Sequence, residues 1–337
     1  MPTPDSIGHT LQHYAECRFR RFSSTALRDL SAPSPAFCTI TGPYLEFLAH
    51  HAQPICQWLD ARLPSQAPDN AVAFFARHMI RFLYDKNQFV RLEESHTQDL
   101  NALYHTFLTD FRYTLSVAQS PDHLQATLND VFAAHQFDLE QFVRALHDPA
   151  GLREVVCSEY SPELQLAILH LAADQLADPV LDIGCGAHGQ LVHYLRQRGK
   201  AVLGIDRAPA DDAYLIPADW FDFPLDTAAW GTVISHMAFS NHFLHHHLNP
   251  QGQAESYAQR YMAILNALKP GGQFIYTPGL PFIENLLPAD QYRVERYPIP
   301  GAVPAALEVA LTAQVGASVW YACQVTADHC HHAARRV

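Results

Sequence analysis

The chain has 337 residues, 48% of them hydrophobic, and a formal net charge of −12 at pH 7, enough length and apolar content for two medium-sized domains. That charge disfavours a nucleic-acid partner, because the one tight basic cluster is Arg18, Arg20 and Arg21. The longest apolar runs fall short of the ~20 residues a membrane helix needs, and MPTPDSIGHTLQ has neither the basic nor the apolar region of an export signal. The cysteines at positions 17, 38, 56, 157, 185, 323 and 330 form no CxxC pair, which fits reduced thiols in a cytoplasmic protein.

The first 40 residues are not assigned to any element. From about residue 40 to 150 the pattern is helical, and Leu100, Leu103, Tyr104, Phe107, Leu108 and Phe111 form one apolar stripe by i, i+3, i+4 spacing. Ser120-Pro121 starts another helix, carried on by Leu124, Leu128, Val131 and Phe132. Pro-containing stretches near 32–35 and 64–68 read as loops. Ser161-Pro162-Glu163 repeats the start signal and leads into LQLAILHLAADQLA, expected as one helix before the first strand.

After residue 178 strands and helices alternate. PVLDIG, AVLGID, AYLIPAD, GTVISHM and QFIYTP read as strands, with GQLVHYLRQRG and ESYAQRYMAILNALKPGG as helices, the latter ending at a glycine stop. QYRVERY and SVWYACQV are two further strand candidates, expected as an antiparallel hairpin. The expected architecture is α/β: a Rossmann-like, doubly wound, mainly parallel sheet over residues 156–337, preceded by a helical domain over 1–155. In such a sheet the ligand site lies beyond the carboxyl ends of the strands.

The strongest motif runs Val180-Leu181-Asp182-Ile183-Gly184-Cys185-Gly186-Ala187-His188-Gly189, with Asp206 closing the next strand. Gly184 and Gly186 permit a tight turn and close backbone approach to a ligand, and an acid some 20 residues on can accept from ribose hydroxyls. Gly184, Gly186 and Gly189 also satisfy the dinucleotide fingerprint. Against that reading, Asp182 turns negative charge toward the turn, which suits a cationic amino-acid tail better than a pyrophosphate. Bulky His188 sits inside the turn, and the sheet ends without room for a second mononucleotide-binding half.

The segment resembles motif I of the class I S-adenosylmethionine-dependent methyltransferases, and the resemblance covers about residues 155–330. It implies S-adenosylmethionine as cosubstrate or sole substrate, and the methyltransferase fold. By family usage Asp182, Gly184 and Gly186 line the methionine part, with Cys185 tolerated in the loop as a small residue. Asp206 holds the ribose with Arg207 beside it, and Asp219 binds the adenine amino group with Trp220 as stacking neighbour. Ser235 opens SHMAFSNH, the place of substrate-side residues, where Asn241 and His242 are the candidate catalytic groups. Tyr160 is a third candidate, offering a hydroxyl or a π-face to the sulfonium cation. LKPGG, Leu268 to Gly272, is a further family habit, and His188 departs from the glycine many members carry. His242 and His246 at i, i+4, and His329, His331 and His332 around Cys330, lack ligand sets at recognised spacing, so no metal is expected.

A large helical domain, expected as a lid, together with acidic overall charge, points to a small-molecule partner, with neither nucleic acid nor membrane involved. By base rate the reaction is in-line methyl transfer to an acceptor. The helical lid, EYSPELQ, motif I, ADW and MAFSNHFLHHH also resemble the bacterial azetidine-2-carboxylate synthases, which implies acceptor-free ring closure with release of methylthioadenosine. A cofactor-binding regulator without turnover is the third reading.

Overall fold

The computed structural model describes residues 4–23, 42–64, 70–90, 92–146, 160–299, 315 and 317–328. The chain divides into two compact units, 1–157 and 158–337. Among the described residues, no helix is long and apolar enough to cross a membrane.

The first unit is helical: α1 (Pro4–Ser23), α2 (Gly42–His50), α3 (Ala52–Arg62), α4 (Ala71–Lys86), α5 (Glu94–Val117) and α6 (Pro121–Ala145). The expected stripe of α5 is buried at Leu100, Tyr104, Phe107, Leu108 and Phe111, while Leu103 lies half-exposed at its margin. Ser120 caps α6 as expected, its hydroxyl accepting from His123 N–H at 3.1 Å. The helix α1 falls where the sequence carries no clear periodicity: its buried face is only Ile7, Leu11 and Ala15, too narrow a stripe among polar residues to stand out. The stretches 32–35 and 65–68 and the residues 329–332 lie outside the described residues.

The second unit is a seven-stranded sheet in the order β3-β2-β1-β4-β5-β7-β6. Its strands are β1 (Val180–Ile183), β2 (Val202–Asp206), β3 (Leu215–Pro217), β4 (Trp230–His236), β5 (Leu268–Thr277), β6 (Tyr292–Pro298) and β7 (Tyr321–Ala327). The first five are parallel; β7 pairs antiparallel with both β5 and β6. This is the expected Rossmann-like methyltransferase arrangement. Helices α7 (Pro162–Ile168), α8 (Gln190–Gln197), α9 (Phe239–Leu248), α10 (Ala254–Asn266) and α11 (Pro281–Glu284) accompany it. All four residues of β1 are buried, as a strand covered on both faces requires. The chain runs β1 to β3 toward one edge and then crosses to β4, so the strand order reverses between β1 and β4.

Two expected helices are shorter than their apolar pattern. After α7, His170 N–H donates to Ala167 O and Leu171 N–H to Leu166 O, the Schellman pair, with His170 at φ 54° in the left-handed position glycine usually takes. Stacking of His170 on Tyr297 at 5.3 Å, and its Nε2 3.3 Å from Pro298 O, hold that residue there. A 3₁₀ turn, Ala173–Gln175, completes the apolar run. The second is α10, which stops at Asn266 rather than at the glycines, so that LKPGG opens β5 instead. Trp230 pairs with Leu268 across a register shift before the regular ladder resumes at Thr232 and Gln273.

A buried carboxylate closes the antiparallel end. Glu284, 3% exposed, accepts from Tyr276 OH at 2.9 Å, Leu280 N–H at 2.6 Å, Tyr321 OH at 2.6 Å and Arg296 Nε at 2.7 Å. Tyr261 OH lies 2.9 Å behind Tyr276 OH. The contacts join β5, β6, β7 and α11 through one carboxyl group that takes four donors. Glu284→Ala should therefore lower unfolding stability by ~3–5 kcal/mol, because Arg296 and two buried phenols lose their partner; thermal or urea unfolding measures it.

Candidate active site at the β1–β4 switch point

The turn after β1 is shaped by close approach. Gly184 (φ 76°) and Gly186 (φ 80°) occupy backbone conformations that L side chains rarely adopt, and a Cβ at Gly184 would overlap that of Ala238, just beyond β4. Gly184 and Cys185 N–H both donate to Ile205 O, at 2.8 and 3.1 Å. Gly186 N–H donates to Asp206 Oδ2 at 3.1 Å, and Ala208 N–H to Oδ1 at 3.2 Å. Asp206, expected at a ribose, thus braces the glycine turn from the end of β2 and keeps lone pairs for a further donor. Arg207 is half-buried beside it. His188 points outward, exposed, which is how this turn accommodates a side chain where glycine is common.

Asp182 stands within β1 at 2% exposure. Burial, with Asp206 nearby as the second cause, pushes its pKa up to about 7. Among the described residues no hydrogen bond or ion pair reaches its carboxylate.

Beyond β4 the backbone turns through Met237 (φ 53°) into α9, whose N-cap is Ala238, without a capping side chain. Asn241 lies half-buried in the first turn of that helix. Tyr160, 39% exposed, packs edge-on to His236 with ring centroids 5.4 Å apart.

Four of the expected site residues are engaged in packing. Ser235 is fully buried, donating to Ile183 O and accepting from Phe239 N–H, each at 3.0 Å, and ties β1, β4 and α9 together. Cys185, a small residue tolerated in the loop as expected, turns its buried thiol toward β2, where a Cβ at Gly204 would come within 2.7 Å of Sγ. Trp220 is buried, its ring in T-shaped contact with Phe239 and His242 at 5.9 and 4.8 Å. His242, expected as a base near neutral pH, lies on the sheet-facing side of α9, its ring against Trp220 and its Nδ1 3.5 Å from Tyr257 OH. Burial, then Arg207, His246 and His245, hold it neutral, well below the ordinary histidine range. His246 stacks on the same Tyr257. Among the described residues no three or more His, Cys, Asp or Glu side chains are placed to hold a metal ion. Asp219 accepts from Phe221 N–H at 2.9 Å and shapes the turn after β3.

Three residues that sequence reasoning did not single out stand at the same strand ends. His236 Nε2, Ser240 Oγ and Thr277 Oγ1 are buried with no hydrogen-bond partner, as is Trp220 Nε1. His236 and Thr277 are register partners at the carboxyl ends of β4 and β5, and Ser240 is the second residue of α9. Burial lowers His236 to about 4, so it remains neutral through the physiological range. The signal available in sequence was position: each is a polar residue just past a buried strand.

No family model and no curated protein matches the chain. Solved structures similar to it include 1,6-didemethyltoxoflavin-N1-methyltransferase from Burkholderia thailandensis, with 19% identity over 51% of this chain and 79% of that one, TM-score 0.31. The CcbJ methyltransferase from Streptomyces caelestis has 16% identity over 51% and 97%, TM-score 0.30. An S-adenosylmethionine-dependent methyltransferase from Mesorhizobium loti has 15% identity over 47% and 99%, TM-score 0.29.

Two outcomes test this geometry. Asp182 has a higher pKa folded than unfolded, so its penalty is absent below pH ~4, grows as pH rises to 7 and is constant above. Asp182→Asn should match the parent's stability near pH 4 and exceed it by up to ~4 kcal/mol at pH 8, measured by denaturant unfolding of ligand-free protein. Gly184→Ala should lower the melting temperature, since it combines a disfavoured φ with the Ala238 overlap.

Proposed function

We propose that this crevice binds S-adenosylmethionine and that the chain is an S-adenosylmethionine-dependent enzyme acting on a small molecule by in-line displacement at a sulfonium carbon. The observation that carries the reading is Asp182: a buried carboxylate, unpartnered among the described residues, at the end of β1 beside a left-handed glycine turn. Such a group is held close to neutrality by desolvation, and a ligand ammonium supplies the charge that favours its ionised form. Asp206 stands one strand over, where ribose hydroxyls donate to a carboxylate, and Asp219 one strand further, for the adenine amino group. The sulfonium supplies the leaving group; this chain's residues orient the tail, exclude water and order the nucleophile. Half-buried Asn241 and neutral His236 are the polar side chains placed to position an attacking group, and the edge-on contact holds Tyr160 beside His236.

Methyl transfer to a separate acceptor is the first form of the reaction. The second is acceptor-free ring closure to azetidine-2-carboxylate, in which the cofactor's own α-amino group, after losing its proton to solvent, is the nucleophile. The amine nitrogen then bonds to the γ-carbon as the carbon–sulfur bond breaks, and methylthioadenosine leaves with the electron pair.

Incubating the protein with S-adenosylmethionine alone, followed by mass spectrometry, separates the two. Methylthioadenosine with azetidine-2-carboxylate establishes ring closure; no turnover alone, but S-adenosylhomocysteine on adding candidate acceptors, establishes methyl transfer. Asp206→Ala should weaken S-adenosylhomocysteine binding about tenfold or more by calorimetry; unchanged affinity removes Asp206 from the ribose site. Binding should tighten as pH rises through 7, because the ammonium is held by ionised Asp182.

A further inference from the structure

The six helices described in the first unit converge on a cavity that they do not fill. It measures about 60 Å³. One water needs ~10–15 Å³, so the space suits a single six-membered ring with a substituent. Every one of the six helices lends it a side chain, from Ala15 of α1 to Phe132 of α6. Phe107, Phe111 and Phe132 line it and keep 6–8% exposure, whereas Leu100, Leu124 and Leu128 on the same two helices keep 0–1%. A guest can therefore reach these rings without any of them moving.

The packing around the void explains why it stays open. At Gly8, α1 already lies so close to α3 that a Cβ would come within 2.4 Å of Trp58 Nε1, which stops the helix settling further inward. Two turns later on α1, small Ala15 stands at the cavity and leaves its space unclaimed. The floor rings fix one another, with Phe107 centroids 5.4 Å from Phe132 and 6.1 Å from Phe111. Interiors carry few voids larger than a water, because an unfilled apolar space costs stability. A void kept open by rigid rings is fitted for a guest that restores those contacts.

The lining decides which guest. Trp58 and the phenylalanines offer ring faces and edges, on which another ring packs with a gain beyond the area it buries. Among the described residues none that lines the cavity is charged, so a carboxylate or ammonium entering it would lose its hydration with no counter-ion in exchange. Polar groups come from half-buried Gln12, Tyr14 and Tyr44, the two tyrosine rings lying 4.3 Å apart. We propose that this cavity is a binding site for a neutral, one-ring aromatic molecule carrying at most one hydrogen-bonding group. The proposal stands on the first unit alone and is independent of the S-adenosylmethionine reading.

The test titrates the full chain into 4-fluorophenol, and separately into 4-fluorobenzoate, which is an anion at neutral pH, with fluorine NMR as the readout. The phenol resonance should shift or broaden saturably, with an affinity at least about tenfold above that for the benzoate. Ala15→Leu places a side chain in the cavity and should weaken phenol binding about tenfold or more. Ala15→Val is a smaller intrusion that should lose part of the affinity, and it decides the matter if the leucine variant does not fold by circular dichroism. No saturable binding to the parent, equal affinity for phenol and benzoate, or undiminished phenol affinity in a folded Ala15 variant would overturn the site.

Discussion

The second unit depends on how closely β1 and β4 approach at their carboxyl ends. Ser235 makes that approach possible: its buried hydroxyl donates to the last carbonyl of β1 and accepts from the amide that opens α9. The strand, its neighbour and the following helix are locked by one side chain of the right length, and the same contact removes one of the four orphan donors at the helix start. Gly184 is the counterpart across the gap, since any side chain there would meet Ala238. The left-handed turn of motif I is therefore set as much by what packs against it as by ligand geometry. Asp206 then braces the turn from β2 through Gly186 N–H.

This packing has an electrostatic consequence. A strand buried on both faces carries a carboxylate at Asp182, and desolvation raises its proton affinity until it is half ionised near neutrality. At the carboxyl ends of β4 and β5 and in the first turn of α9 stand buried donors without acceptors.

The Glu284 network shows the alternative solution to a buried charge. There four donors from three strands and a short helix converge on one carboxylate, with Arg296 among them, and nothing is left for a ligand. It anchors Tyr276, the residue before Thr277, at the end of β5. Satisfied and unsatisfied polar groups thus sit at adjacent positions of one strand, Tyr276 OH and Thr277 Oγ1.

Much of this was legible in the chain. The change from 3.6-residue periodicity to alternating strands, the Ser-Pro helix starts at 120 and 161, and the glycines flanking Cys185 depend on local geometry, and those features stand as read. What sequence could not determine are facts of packing at a distance. That α7 ends at His170 depends on Tyr297 and Pro298, more than 120 residues away in the chain. That Ser235 and His242 find partners in the interior, while Trp220, His236, Ser240 and Thr277 keep unpartnered buried atoms, depends on how β4 and α9 pack against their neighbours. Periodicity reports that a face exists; only the tertiary structure decides what covers it, because burial and hydrogen-bond satisfaction belong to neighbours that adjacent residues do not specify.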